Sequence, residues 1–142
     1  MLSMAAQLAT LATCDKLKVG CILTDARGRV LSAGYNGPAQ GRPHCEGYMK
    51  FSLNEACASF CQATHAESNA LLSCYAPMSV VHTCYTTWSP CMACCKQLVQ
   101  TGCRRIVFLF ESDEVEHSRR FWMMRAAIEG REWVRHTAET AV

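Results

Sequence analysis

The segments HAESNAL, residues 65–71, and SPCMAC, residues 89–94, determine how this sequence is interpreted. A catalytic zinc ion is held by three protein ligands and keeps one position open, and an imidazole with two thiolates forms such a ligand set. His65, Cys91 and Cys94 supply these donors, and the two thiols belong to one C-x-x-C turn. Glu67 is then a free carboxylate close to the metal. The pattern predicts a zinc site with its own group for proton transfer.

A structural zinc site is the alternative interpretation of the same residues. Structural sites close the fourth position with another Cys or His. The nearest further candidate here is Glu67, whose carboxylate suits proton transfer better than ligation. We therefore favour a catalytic site, and a non-catalytic zinc-binding module stays as the competing hypothesis.

Length and composition limit the class of protein. The chain has 142 residues, half of them apolar, which fits one domain over residues 1–142 with a real core. Its N-terminus has neither a basic leader nor a long apolar run, so we expect a cytoplasmic protein with no membrane segment and with its 11 cysteines reduced or metal-bound. The net charge of +2, with mixed signs throughout, argues against nucleic acid as a partner.

Apolar periodicity predicts alternating helices and strands after an initial hairpin. The predicted helices cover residues 2–13, about 55–74, a stretch beginning near Pro90, and about 117–129, where Gly130 ends the last one. The predicted strands cover residues 18–24, 29–35, 80–86 and 105–110, with a short edge strand at 132–135. This order is typical of a three-layer α/β/α fold around a mixed five-stranded sheet.

The positions of His65 and Glu67 restrict where the metal can lie. In a regular helix these side chains would point about 200° apart. They can share one cavity only at the tip of a helix, where the first turn faces the end of the sheet. Because Cys91 and Cys94 follow a predicted strand and begin a helix, we expect two helix tips to converge on one zinc ion.

Five segments together resemble the cytidine and deoxycytidylate deaminase superfamily, and most closely the deoxycytidylate (dCMP) deaminases of phages and bacteria. They are KVG (18–20), GYNG (34–37), HAESNAL (65–71), TWSPCMAC (87–94) and QTGCRRIVF (100–108). The resemblance covers about residues 14–110 and implies the cytidine deaminase-like fold.

The resemblance also implies a reaction. Water activated by zinc would attack C4 of cytosine, Glu67 would move protons to N3 and to the departing amine, and dCMP would become dUMP for thymidylate synthesis. The base edge would be held by the backbone of Ala66 and the carbonyl of Ser89, and the sugar by Asn36. A turn-forming Asn before Gly is the other interpretation of Asn36. Activity on 5-substituted dCMP, and deamination of tRNA adenosine or another nucleobase, remain alternatives.

Two parts of the substrate have weaker candidates. Arg119 and Arg120, near the start of a predicted helix, are our candidates for the 5′-phosphate, and a solvated helix face is an equal alternative. Similar enzymes stack an aromatic residue on the base downstream of the fourth strand, which leaves His117 or Phe121 for that role.

A second group of cysteines suggests another metal site. Cys57 and Cys61 lie four apart on one predicted helical face, while Cys14 precedes a strand and Cys45 lies in a Pro- and Gly-rich stretch. Four thiolates would form a closed structural zinc site, in which His44 could replace one. Some phage and bacterial dCMP deaminases carry a structural zinc at corresponding positions.

The resemblance further implies regulation and assembly. Relatives are commonly hexameric and respond to dCTP and dTTP at a site near the GYNG segment, which corresponds here to Gly34, Tyr35 and Gly37. We therefore expect a homo-oligomer, with a hexamer favoured, and possible nucleotide effectors. Residues 73–76 lack the Phe and Arg of some regulated relatives, so effector control is open.

Overall fold

The computed structural model describes residues 1–14, 16–44 and 61–137 of the chain. Its helices are α1 (Leu2–Ala9), α2 (Ala66–Leu72), α3 (Met92–Leu98), α4 (Val115–Met123) and α5 (Ala126–Glu129), with a 3-10 turn at Met78–Val80. Its strands are β1 (Gly20–Thr24), β2 (Val30–Tyr35), β3 (Thr83–Trp88), β4 (Arg105–Phe110) and β5 (Glu132–Arg135). No helix in these ranges is long and apolar enough to cross a membrane.

The strands form one mixed sheet of five strands in the order β2-β1-β3-β4-β5. β1 pairs antiparallel with both β2 and β3, whereas β3, β4 and β5 run parallel. The predicted hairpin, central strands and edge strand are all confirmed. The carboxyl ends of β3 and β4 therefore lie at one edge of the sheet, where ligands bind in folds of this kind.

Two glycines show that helices cover both faces of the sheet. A Cβ atom on Gly20 would collide with the backbone of Ala5 in α1, and one on Gly34 would collide with the backbone of Ala66 and Ala70 in α2. Gly34 pairs with Cys21, the neighbour of Gly20 in β1, so the two glycines face opposite sides of the sheet. The predicted three-layer arrangement is confirmed.

The main core lies between the sheet and helices α2, α3 and α4. Its members include Ala70, Leu98 and Trp122 from the helices, with Leu23 and Ile106 from the strands. β1 is buried along its whole length because helices cover both of its faces, which explains its continuous apolar sequence.

The start of α2 differs from the sequence prediction. Residues 61–65 are not helical, and residues 55–60 lie outside the described part of the chain. Thr64 exchanges two backbone hydrogen bonds with Gly37, at 2.8 and 3.1 Å, which hold the chain extended up to His65. This long-range bridge places the first helical residue at Ala66.

Two other boundaries also differ from prediction. Residues 78–80 form a 3-10 turn, in which the carbonyl of Met78 accepts the N–H of Gly102 at 2.9 Å, so β3 begins only at Thr83. The last predicted helix is divided into α4 and α5. Gly130, with a φ of 64°, ends α5 as predicted.

Candidate metal centre and active site

The two predicted helix tips meet at the carboxyl edge of the sheet. His65 and Cys91 are the N-cap residues of α2 and α3, each in an extended conformation. Their side chains therefore project from the ends of the helices. His65 Nδ1 lies 3.4 Å from Cys91 Sγ and 3.4 Å from Cys94 Sγ, and the ligand atoms of all three residues lie within 4.8 Å of one another.

This geometry fits a zinc ion. Zn–S bonds of about 2.3 Å and Zn–N bonds of about 2.0 Å in a tetrahedron separate neighbouring ligand atoms by roughly 3.5–3.8 Å. The observed 3.4 Å separations need only a small expansion to reach these values. Within the described ranges no fourth His, Cys, Asp or Glu joins the three ligands. Two sulfurs and one imidazole nitrogen thus form a zinc site with an open position.

The electrostatics of the ligands also favour a metal cation. Hydrogen bonds from Cys94 and then from His65 lower the pKa of Cys91 to about 3, so this sulfur is a thiolate. The hydrogen bond between His65 and Cys91 raises the pKa of His65 to about 8. The hydrogen bond between Cys94 and Cys91, together with burial, raises the pKa of Cys94. The pair of Cys91 and Cys94 therefore retains one proton. A zinc ion would replace these shared protons.

Glu67 lies beside the ligands in the first turn of α2. Its side chain is 4% exposed, and its Oε2 lies 3.5 Å from Cys94 Sγ. Burial raises the pKa of this carboxyl group. His65 is an N-cap rather than an internal helical residue, so both side chains reach one cavity despite their close spacing.

A cavity of about 280 Å³ opens beside this cluster. Its lining comes from the segment before β1, from the ends of β2, β3 and β4, and from the two helix tips. The lining residues are Cys14, Lys16, Leu17, Val19, Asn36, Cys61, Ala63, His65, Ala66, Glu67, Trp88, Ser89, Cys91 and Ser112. Its size is at the lower end of the range for small-molecule sites.

Three of the predicted substrate contacts line this cavity. Ala66, Ser89 and Asn36 are all buried there, at 0%, 4% and 6% exposure. Asn36 also has a structural task, because its side-chain amide bonds the backbone of Leu17 and Val19.

The structure does not bring the other predicted contacts to the cavity. His117, Arg119 and Arg120 are exposed residues of α4, and none of them lines it. Arg119 instead lies 3.9 Å from Glu116 on the same helix. Phe121 does not line the cavity either.

The sequence interpretation missed several cavity residues. Trp88, at the end of β3, is the aromatic residue among the lining, and its ring centroid lies 5.3 Å from that of Phe110. Ser112 follows β4 and its N–H donates to Ser89 Oγ at 2.8 Å. Trp88 ends a parallel strand and Ser112 lies two residues beyond the end of another, and that signal could have identified them.

The residues of the predicted second zinc site are only partly described. Cys14 is buried and Cys61 is exposed, and both line the active-site cavity. Cys45 and Cys57 lie outside the described residues, so the second zinc stays a prediction. His44 lines a different cavity.

That other cavity, of about 580 Å³, brings together the residues predicted for effector binding. Gly34, Tyr35 and Gly37 line it along with Arg42 and His44. The carbonyl of Tyr35 accepts a hydrogen bond from Asn69 Nδ2 of α2 at 2.8 Å. Gly34 is also required for the close approach of α2, independently of any ligand.

Known proteins are similar to this chain in sequence and in fold. The family described as "Cytidine and deoxycytidylate deaminase zinc-binding region" matches residues 1–110. The chain is 34% identical over 122 residues to the deoxycytidylate deaminase of Mycobacterium phage D29, covering 78% of this chain and 92% of the phage protein. It is 32% identical over 103 residues to ComE operon protein 2 of Bacillus subtilis (strain 168), covering 71% of this chain but only 52% of that relative.

The fold is similar to a solved structure of dCMP deaminase from cyanophage S-TIM5 in complex with dCMP and dUMP. The TM-score is 0.75 at 24% sequence identity, over 96% of this chain and 93% of that chain. The family match extends from α1 to the end of β4 and includes both helix tips that carry the zinc ligands. The chain therefore belongs to the cytidine and deoxycytidylate deaminase family.

Proposed function

We propose that this protein is a zinc-dependent dCMP deaminase that hydrolyses dCMP to dUMP and ammonia. The observation that carries the proposal is the buried carboxylate of Glu67 beside the three-ligand cluster, at the floor of a cavity suited to a small molecule. The resemblance to the phage deoxycytidylate deaminase, over 92% of that protein, supports dCMP as the substrate.

The chemistry depends on one group outside the polypeptide. Zinc, held by His65, Cys91 and Cys94, would supply a water molecule acidic enough to act as the nucleophile near neutral pH. The oxygen of that water forms a bond to C4 of cytosine, and the bond from C4 to the amino nitrogen breaks. Of the two water protons, one ends on N3 and the other on the released ammonia.

Glu67 carries both protons in this proposal. Its carboxylate accepts a proton from the nucleophilic water, delivers it to N3, and then transfers the second proton to the leaving amine. Burial raises its pKa, which makes the carboxylate a stronger base than an exposed one. Its Oε2 lies 3.5 Å from Cys94 Sγ, so the carboxyl group stands next to the metal ligands.

The cavity walls would orient the pyrimidine. The backbone of Ala66 and the carbonyl of Ser89 would hold the base edge, because both residues are buried at the cavity floor. Asn36 would bond the sugar through its side-chain amide, which keeps one N–H and one oxygen lone pair free of the bonds to Leu17 and Val19. Trp88 would take the stacking role that the sequence suggested for His117 or Phe121, since this residue lines the cavity and they do not.

The remaining features of the proposal extend beyond this cavity. A structural zinc at Cys14, Cys45, Cys57 and Cys61 would tie the residues around position 45 to the domain. A dCTP or dTTP effector would occupy the cavity at Gly34, Tyr35 and Gly37, where Arg42 and His44 could meet its phosphates. We further propose a homo-oligomer, with a hexamer favoured, that acts on the cytoplasmic nucleotide pool.

Ammonia release from four substrates tests the proposed function. The zinc-loaded enzyme is assayed with dCMP, 5-methyl-dCMP, deoxycytidine and a tRNA anticodon stem under one set of conditions. We expect dCMP to have the highest kcat/KM, and the 5-methyl compound shows whether the cavity admits a 5-substituent. Turnover of the tRNA stem alone would make the protein a nucleic-acid deaminase, and no turnover of any substrate would favour a non-catalytic zinc module.

A further inference from the structure

Ser89 and Ser112 join the open ends of two parallel strands at the active-site cavity. Ser89 is the first residue beyond β3, and Ser112 lies two residues beyond the end of β4. The N–H of Ser112 donates to Ser89 Oγ at 2.8 Å, and the two hydroxyl oxygens lie 2.9 Å apart. Both residues line the cavity. Two hydrogen bonds therefore tie the side chain of Ser89 to one residue of the loop after β4.

The backbone of Ser89 is restrained as well. Its N–H donates to the carbonyl of Phe110 at 2.7 Å, which adds one more bond at the end of the paired strands. Pro90 follows, and a proline restricts the residue before it to extended conformations. Ser89 is also buried, so water does not compete for its hydrogen bonds. These restraints, together with Ser112, fix the peptide group that carries the Ser89 carbonyl.

The carbonyl oxygen of Ser89 is left for a ligand. In the described part of the chain, no hydrogen bond of this region ends on that oxygen. A carbonyl oxygen only accepts hydrogen bonds. On the reacting edge of cytosine the 4-amino group is the donor, whereas N3 receives its proton from Glu67 in the proposed reaction. The Ser89 carbonyl therefore suits the amino group of the substrate, and it meets no donor at C4 of uracil.

We propose that Ser112 is a positioning residue that holds the carbonyl of Ser89 toward the 4-amino group and thereby favours cytosine over uracil in the cavity. This inference rests on the proposed function, because it concerns the same cavity and the same reaction. The amine gains positive charge when Glu67 protonates it, and a preorganised carbonyl dipole stabilises that charge without reorienting. Ser112 is itself anchored, because its carbonyl accepts the N–H of Val115 in α4 at 3.1 Å.

Three serine variants of the zinc-loaded enzyme test this assignment. Ser112→Ala removes one of the two hydrogen bonds to Ser89, so kcat/KM for dCMP should fall about two- to tenfold. Ser89→Ala removes both bonds, and the fall should be about ten- to hundredfold. Ser118→Ala is the matched control and should change nothing, because among the described residues its buried hydroxyl has no hydrogen-bond partner and does not line the cavity. Ser112→Thr keeps the hydroxyl and should stay near the wild-type value.

Competitive inhibition by dUMP separates a positioning role from general damage to the cavity. This nucleotide has an oxygen in place of the amino group, so its Ki reports how well the rest of the molecule fits. The Ki should change less than about twofold in Ser112→Ala and Ser89→Ala. Zinc content should be the same in all variants.

Two results would overturn the role of Ser112. One is a Ki for dUMP that rises in step with the loss of kcat/KM, and the other is a wild-type kcat/KM for dCMP in both Ser112→Ala and Ser89→Ala. Failure of the wild-type protein to deaminate dCMP would instead overturn the proposed function. Calorimetric titration with dCMP and dUMP would then decide the role of Ser112, since dCMP would not be consumed.

Discussion

Cys91 and Cys84 are both thiols, yet their surroundings shift their acidities in opposite directions. Hydrogen bonds from Cys94 and His65 at a helix tip lower the pKa of Cys91 to about 3. Cys84 lies in the core with 0% exposure, where its hydrogen bond with Cys21, at 3.6 Å, and burial raise its pKa well above the ordinary value. Metal chemistry thus depends on the position of a thiol in the fold, and most cysteines of the core act as small apolar side chains.

The largest effect is expected from replacing a ligand cysteine, with a neighbouring core cysteine as the control. Cys91→Ala removes a zinc ligand, so we expect loss of bound zinc and a fall in dCMP deamination of more than about 100-fold. Loss of a residue that only supports a metal ligand costs up to roughly 100-fold in metal affinity or activity, and loss of the ligand itself should cost more. The measurement combines metal analysis with ammonia release. Cys95→Ala is the control, because Cys95 is buried in the core one residue beyond the ligand Cys94. Equal zinc loss in both variants would contradict the division into two classes of thiol.

Zinc affinity should depend on pH, because the ligands hold protons in the metal-free protein. Zinc binds deprotonated ligands, and in the metal-free protein His65 has a pKa of about 8 while the thiol pair retains one proton. Zinc binding therefore releases two protons below pH 8 and one above it. As the pH is lowered, the apparent zinc affinity should therefore fall about tenfold per pH unit above pH 8. Below pH 8 it should fall about a hundredfold per unit.

Competition with a chromogenic chelator across pH 6 to 10 measures this dependence. A single slope over the whole range would show that His65 does not hold a proton in the metal-free site. Cys95→Ala should give the same curve as the wild type, because its thiol takes no part in the exchange.

A smaller effect is expected from the core thiols. Cys84→Ala should reduce the free energy of unfolding by about 1–2 kcal/mol, because it leaves a small cavity at a fully buried position. Cys84→Val fills the space but is larger than Cys, so overpacking should cost about 1–3 kcal/mol. Urea denaturation of the zinc-loaded protein measures both values. A large loss of bound zinc in either variant would show that Cys84 supports the metal centre after all.

The sequence was sufficient to predict the zinc ligands and the succession of strands along the chain. A zinc site requires particular residue types at close spacing, and His65, Cys91 and Cys94 show that requirement directly. The strand Arg105–Phe110 was also predicted with its observed bounds, because a parallel strand covered on both faces is apolar throughout.

Features that depend on long-range contacts were not predictable in the same way. The bridge between Gly37 and Thr64 sets the start of α2, and it joins segments far apart in the chain. The placement of α4 leaves Arg119 and Arg120 off the cavity, whereas Lys16, in the segment before β1, lines it. Charge and helix position alone could not rank these three cations.

In the proposed reaction Glu67 performs the proton transfers beside the zinc. Glu67→Gln keeps the size and polarity of the side chain but removes its basicity, and metal content and dCMP deamination are measured on the same preparation. We expect unchanged zinc content and a kcat lower by about 10²- to 10⁴-fold. A variant with bound zinc and wild-type kcat would contradict it.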